Sequence, residues 1–68
     1  MKNHANVNAQ RHHRRLAAEK LLDGIDNTTT RGQVLRQAAR ITSAYHLALD
    51  DYMRIKDQGM AKLEGMQR

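Results

Sequence analysis

The sequence predicts an all-α protein, a helical hairpin in which a short basic helix precedes a long second helix. Three observations lead to this prediction. Proline is absent from the 68 residues. Alanine, leucine, arginine, glutamine, lysine and methionine dominate outside one turn, and these residue types are good helix formers. Apolar and polar residues nowhere alternate with the period of a strand. A chain of this length forms one small domain, which we assign to residues 1–68.

The first helix is predicted over residues 5–23, and one of its faces changes character along the helix. Residues at alternating spacings of four and three form a stripe of Val7, Arg11, Arg14, Ala18, Leu21 and Ile25. The stripe is cationic towards its N-terminal end and apolar towards its C-terminal end. A core does not hold guanidinium groups that lack partners. We therefore expect this face to leave the core near residue 16, so that the basic half projects from the packed body.

The turn between the helices is predicted at residues 24–29. Gly24 can take the left-handed conformation that ends many helices, and the aspartate, asparagine and threonines that follow it favour turns and caps. Thr30 and Gln33 have the spacing of a capping box ahead of an apolar run, with Thr29 as the alternative cap. The second helix is therefore expected to begin at about residue 30.

The second helix is predicted to continue from residue 30 to residue 66, with a frayed end. Its apolar stripe again follows spacings of four and three through Val34, Ala38, Ile41, Tyr45, Ala48, Tyr52 and Ile55. A neighbouring stripe widens this face beyond a coiled-coil seam. Gly59 interrupts the pattern and is interpreted as fraying or a break.

The apolar face of the long helix is too large for the first helix to cover. Exposed apolar patches of this extent usually mark association, and a small core alone is marginally stable. We therefore expect a homodimer in which the second helix of each copy packs against the other. The expected interface residues are Ile41, Tyr45, Ala48, Leu49, Tyr52 and Ile55.

Positive charge is concentrated in the first two thirds of the chain. The net charge is +5. Residues 1–22 carry +4, residues 31–49 carry +3 without an acid, and residues 50–68 are neutral overall. An acid-poor helix favours contacts with phosphates. The candidate nucleic-acid contacts are Arg11, His12, Arg14, Arg15, Lys20, Arg36 and Arg40.

These observations predict a small dimeric regulatory protein that binds nucleic acid, with DNA preferred over RNA. The two tyrosines are the only aromatic residues, which argues against a broad base-stacking surface. The alternative is a helical interaction module, an adaptor or inhibitor, whose basic helix meets an acidic surface of another protein. A solvated helix end that binds nothing also accounts for the basic run.

Part of the chain resembles a known family. Residues 31–41 (RGQVLRQAARI) place a basic residue, an aliphatic pair, a small residue and a further aliphatic residue at helical spacing. This pattern resembles the second helix of basic helix-loop-helix transcription factors, and Asn8-Ala9 followed by Arg14-Arg15 is similar to their basic region. The resemblance covers about a third of the chain and is an analogy of architecture. Arg11 stands where the family has a base-reading glutamate, and residues 16–30 are too few for its usual helix and loop.

The sequence offers no candidate catalytic residue and no cofactor. It has no cysteine, no glycine-rich phosphate loop and no nucleophile paired with a base. Asp50 and Asp51 diverge by about 100° on a helix, which separates them for shared acid–base chemistry. His12 and His13 likewise point to different sides of a helix, so we expect no metal site. We therefore expect a protein that is not an enzyme.

No membrane partner is expected from the hydropathy of the chain. No apolar run approaches the roughly 18 residues of a membrane span. Residues 1–15 contain no continuous apolar stretch, unlike a secretory signal peptide. We expect a cytoplasmic protein.

Overall fold

A computed structural model of the chain describes the backbone of residues 2–67 and the side chains of residues 10–67. It contains three helices, α1 (Lys2–Asp23), α2 (Arg31–Ala44) and α3 (Leu49–Met66), and no strand within residues 2–67. The all-helical prediction is confirmed, whereas the two-helix hairpin is corrected to a three-helix arrangement. This arrangement also departs from the helix-loop-helix analogy, because residues 49–66 form a third helix that packs against α1 and α2 of the same chain.

The helices pack pairwise around one core, and each of them contacts both others. α1 and α3 run in the same direction, because Arg14 contacts Asp51 near one end and Lys62 contacts Leu22 near the other. α2 runs in the opposite direction between them. The ammonium group of Lys62 donates a hydrogen bond to the Leu22 carbonyl, which places a cation at the C-terminal end of α1, where the helix dipole favours it.

α1 ends differently from the sequence prediction. No glycine within the described backbone has a positive φ. The expectation that Gly24 ends the helix in a left-handed conformation is therefore wrong. The N–H groups of Gly24 and Ile25 instead donate to the carbonyls of Leu21 and Leu22, at 3.1 and 3.2 Å. These shorter-range bonds tighten the last turn and satisfy carbonyls that a helix end otherwise leaves without partners.

The connection from α1 to α2 is held by side chains that bond to nearby backbone. The Asp26 carboxylate accepts hydrogen bonds from the N–H and hydroxyl of Thr28, at 2.8 and 2.6 Å. The pKa of Asp26 is lowered from 3.8, chiefly by the Thr28 hydroxyl. The predicted capping box is confirmed, because the Thr30 hydroxyl accepts from the N–H of Gln33 and the Gln33 side chain accepts from the N–H of Thr30.

The predicted long helix is interrupted at residues 45–48. His46 has a φ of 57°, and its N–H donates to the Ser43 carbonyl at 3.1 Å. The N–H of Leu47 reaches the Thr42 carbonyl at 2.9 Å. This pair of bonds around a left-handed residue is the Schellman motif of helix C-termini. Leu47 then packs against the core, so the chain turns back where one continuous helix was expected.

Acidic side chains stabilise the start of α3. The first turn contains Asp50 and Asp51, and negative charge at a helix N-terminus interacts favourably with the helix dipole. Oδ2 of Asp51 also accepts a hydrogen bond from the N–H of Ala48 at 3.4 Å. The apolar spacing continues across the break, which explains why periodicity alone predicted a single helix.

The core lies where the three helices meet. Its buried apolar residues are Ala17, Leu21, Ile25, Val34, Ala38, Ile41, Ile55 and Leu63. Among the described side chains, burial in α1 begins at Ala17, close to the predicted limit at residue 16. Ile41 and Ile55, assigned above to a dimer interface, are 7% and 3% exposed within a single chain. They are buried because α3 folds back and covers the face that a continuous helix would have exposed.

Gly59 is buried where α3 packs against the other two helices. A Cβ atom at this position would lie 2.8 Å from Cδ2 of Leu21 and 2.9 Å from Cγ1 of Val34. The interpretation of Gly59 as fraying is therefore wrong. The absence of a side chain allows α3 to pack against α1 and α2.

Candidate nucleic-acid interface

The groove between α1 and α3 gathers the largest group of arginines among the described side chains. We call it the α1–α3 groove; it is lined by Arg11, Arg14, Arg15, Ala18, Glu19, Leu22, Asp51, Arg54, Ile55 and Gln58. Four arginines therefore share this groove with two carboxylates. The excess positive charge fits a polyanion, and the apolar residues between the walls weaken the screening of charges by water.

Among the arginines of the predicted basic cluster, Arg14 forms an ion pair with α3. Its Nη1 lies 3.5 Å from Oδ1 of Asp51, and the side chains of the two residues are 34% and 15% exposed. Nε of Arg14 also donates to the Gln10 carbonyl at 3.4 Å. The expectation that this whole cationic face leaves the packed body is therefore corrected at Arg14, because α3 returns alongside α1 and supplies a carboxylate.

Arg11 and Arg15 are exposed, as the projecting basic face requires. Within residues 10–67, the ion pairs within 4 Å join Arg14 to Asp51 and Lys56 to Asp57. The guanidinium groups of Arg11, Arg15 and Arg54 thus have no carboxylate of that segment within ion-pair distance. They are available to an external anion.

Two other residues predicted to contact nucleic acid, Lys20 and Arg40, lie in a separate groove. Lys20 and Arg40 face each other between α1 and α2, in a groove completed by Gln37, Ile41, Ala44 and Tyr45. Arg36 is exposed one turn before Arg40 on α2. Lys20, Arg36 and Arg40 are therefore not combined with the arginines of the α1–α3 groove into one cluster.

The histidines of the basic run are exposed at the surface of α1. The ring of His13 meets Tyr45 edge to face at a centroid distance of 6.1 Å, and the ring of His12 lies 6.4 Å from that of His13. His13 thus contacts the end of α2, while His12 adds a polar group beside the arginines. Within the described residues, no group of three or more histidine, aspartate or glutamate side chains is arranged to hold a metal ion.

Arg54 is a member of the groove that sequence reasoning missed. It belongs to a segment whose charges cancel, and that balance concealed its position. On α3, Arg54 and Ile55 follow Asp51 by three and four residues, Gln58 follows them by four and three, and all of these residues line one wall of the groove. This spacing can be read from the sequence, but these residues line a groove with α1 only because the chain reverses at His46.

A third groove, between α2 and α3, has the opposite character. Its lining residues carry no formal charge; they are Ala39, Thr42, Ser43, Leu47, Ala48, Leu49 and Tyr52. Leu49 is 72% exposed, and Met53, one turn further along α3, is 45% exposed. We call this surface the α2–α3 groove.

Comparison of the chain with protein-family models, curated proteins and solved structures finds no match. In the part of the chain that the structure describes, no helix has both the length and the apolar character that crossing a membrane requires. Function is therefore inferred from the residues of this chain alone.

Proposed function

We propose that the protein binds nucleic acid, with duplex DNA as the preferred ligand, through the exposed arginines of α1 and the α1–α3 groove. The observation that carries this proposal is the position of Arg11 and Arg15 on one groove, where both are exposed and have no ion-pair partner among residues 10–67. Arginine contacts to phosphates release condensed counterions and so provide sequence-independent affinity. With two tyrosines as the only aromatic residues, the chain suits a paired backbone better than unstacked bases.

Binding to a labelled DNA duplex, measured by fluorescence anisotropy between about 50 and about 200 mM salt, tests the proposal. We expect affinity to fall as salt rises. The double variant Arg11→Gln/Arg15→Gln should make the slope of log K against log[salt] less negative by about 1.8, because each lost phosphate contact removes about 0.9 from its magnitude. Lack of wild-type binding at about 50 mM salt contradicts the proposal.

Arg31→Gln/Lys56→Gln is the matched control. It lowers the net charge from +5 to +3, as the groove variant does, but neither residue lines the α1–α3 groove. Arg31 begins α2 at the opposite end of the bundle from Arg11. If both double variants make the salt slope less steep by the same amount, net charge rather than the groove determines binding.

The alternative ligand is an acidic surface of another protein. It differs from DNA in its charge density, because duplex DNA carries one charge per about 1.7 Å of its axis. Poly-glutamate offered at equal charge concentration separates the two ligands. Tighter binding to the duplex supports DNA, whereas equal or tighter binding to poly-glutamate favours the protein surface.

We also propose that the protein forms a homodimer through the α2–α3 groove. Ala48, Leu49 and Tyr52, three of the interface residues expected from the sequence, line this groove, whereas Ile41, Tyr45 and Ile55 do not. The other two grooves carry charged side chains. Two copies of a chain with net charge +5 therefore meet with less repulsion at the uncharged groove.

A further inference from the structure

Arg54 supplies a cation from α3 to a groove whose other arginines belong to α1. Since α1 and α3 run in the same direction and Arg14 contacts Asp51, Arg54 lies about 4.5 Å further along the helix axis than that contact. Arg54 is exposed, and no carboxylate among residues 10–67 lies within 4 Å of it. The groove thus has an unpaired guanidinium on each wall.

The floor between these walls is apolar. Ala18, Leu22 and Ile55 line it, and Ile55 is 3% exposed. Guanidinium groups repel one another across such a groove, and weakly polar surroundings strengthen this repulsion. An anion between the walls converts the repulsion into attraction, and phosphate oxygens accept charge-assisted hydrogen bonds from several arginines at once.

Asp51 opposes that attraction. Its Oδ1 lies 3.5 Å from Nη1 of Arg14, and its Oδ2 accepts from the N–H of Ala48. The helix start and the arginine together hold this carboxylate at the groove. A phosphate that approaches Arg14 competes with Asp51 for the guanidinium group and is repelled by that carboxylate.

We infer that the α1–α3 groove is a composite site for a phosphodiester backbone, in which Arg54 contacts phosphate together with Arg11 and Arg15. In this site Asp51 lowers affinity by occupying Arg14. The inference rests on the proposed DNA binding and identifies two residues that determine its strength. One of them, Arg54, lies outside the basic region of the sequence, and the other is an acid that restrains binding.

The test is the salt dependence of duplex binding by single variants. Arg54→Gln should make the slope of log K against log[salt] less negative by about 0.9, the value of one lost phosphate contact. Asp51→Asn should make the slope more negative by about 0.9 and tighten binding several-fold, because Arg14 becomes free for phosphate. Asparagine retains an oxygen that can accept from the Ala48 N–H, and circular dichroism verifies that helix content is unchanged.

Asp57→Asn is the matched control for Asp51→Asn. Asp57 is exposed, pairs with Lys56 at 3.0 Å and does not line the groove, yet its loss changes the net charge by the same unit. We expect Asp57→Asn to leave the slope close to that of wild type. If Asp51→Asn and Asp57→Asn make the salt slope steeper by the same amount, the role assigned to Asp51 is overturned.

A double-variant cycle isolates the pair between Arg14 and Asp51. Arg14→Gln alone should change the slope little, because Asp51 occupies Arg14 in the wild type. In the Asp51→Asn background, the same substitution should make the slope less negative by about 0.9. Equal effects of Arg14→Gln in both backgrounds overturn the inference.

Failure of the inference and failure of the proposed function give different results. If wild type does not bind the duplex, both are wrong. If wild type binds with the expected salt dependence, but Arg54→Gln and Asp51→Asn leave the slope unchanged, the composite site is wrong and binding through Arg11 and Arg15 stands.

Discussion

His46 occupies a backbone conformation that residues with a Cβ atom rarely adopt. Its φ of 57° costs about 1–2 kcal/mol relative to a right-handed conformation. The hydrogen bonds of His46 and Leu47 to α2 and the packing of Leu47 against the core offset that cost. His46 is therefore a strained residue, and its conformation ends α2 and allows the chain to turn back into α3.

We predict that His46→Gly increases the free energy of unfolding by about 0.5–1 kcal/mol, because glycine takes a positive φ without a Cβ clash. Urea denaturation measures the change as a shift of the midpoint at constant m-value. His46→Ala is the control, since it removes the imidazole ring and keeps the Cβ atom. A gain of equal size in the alanine variant would mean that the side chain of His46, rather than its backbone, is the source of strain.

At the scale of the element, α3 is shaped by one glycine contact. Ile55 and Leu63 bury its apolar face in the core, and Gly59 determines how closely α3 approaches Leu21 and Val34. The two neighbours differ in their freedom to move. Leu21 can adjust its terminal methyl groups, whereas the β-branched Val34 is held stiffly at χ1.

We predict that Gly59→Ala decreases the free energy of unfolding by about 1–3 kcal/mol, because the new methyl group overpacks the core. The higher helix propensity of alanine offsets up to about 1 kcal/mol of that loss.

Gly65→Ala is the matched control for this substitution. It lies in the same helix, and its Cβ atom would meet nothing within 4 Å. It should leave stability unchanged or raise it by up to about 1 kcal/mol. Similar midpoints for the two variants in thermal or urea unfolding would contradict the packing role of Gly59.

At the scale of the whole molecule, the grooves between the helices separate charge from apolar surface. Arginines line the α1–α3 groove, while the α2–α3 groove has no formal charge. A dimer formed through the uncharged groove would keep the arginines of both copies accessible to DNA. Two basic sites in one assembly would bind a duplex more tightly than either site alone.

We predict that the wild type sediments as a dimer at micromolar concentration and that Leu49→Gln shifts it towards monomer. Leu49 is 72% exposed and lines the α2–α3 groove, so a polar side chain there removes apolar contact area from the interface. Met66→Gln is the control, because Met66 is 41% exposed but does not line that groove. A wild type that stays monomeric throughout the micromolar range contradicts the dimer.

Some features of the fold could be predicted from the sequence because they depend on residues within a single turn of one another. The helical class follows from composition and spacing, and the cap at Thr30 follows from its distance to Gln33. The change from arginine to apolar residues along α1 correctly indicated where its core contacts begin, since unpaired guanidinium groups do not enter a core. The basic character of α1 was likewise readable from the sequence.

Other features were decided by tertiary structure, because they join residues far apart in the chain or oppose a local preference. The apolar spacing runs unbroken past His46, and the modest tendency of histidine towards positive φ is a weaker local signal than that spacing. The chain reverses because burial of Ile55, Gly59 and Leu63 against α1 and α2 outweighs the strain at one residue. That reversal also places Asp51 beside Arg14 and brings Arg54 to the groove. The sequence by itself therefore determined which helix is basic, and packing determined which of its arginines remain available to an anion.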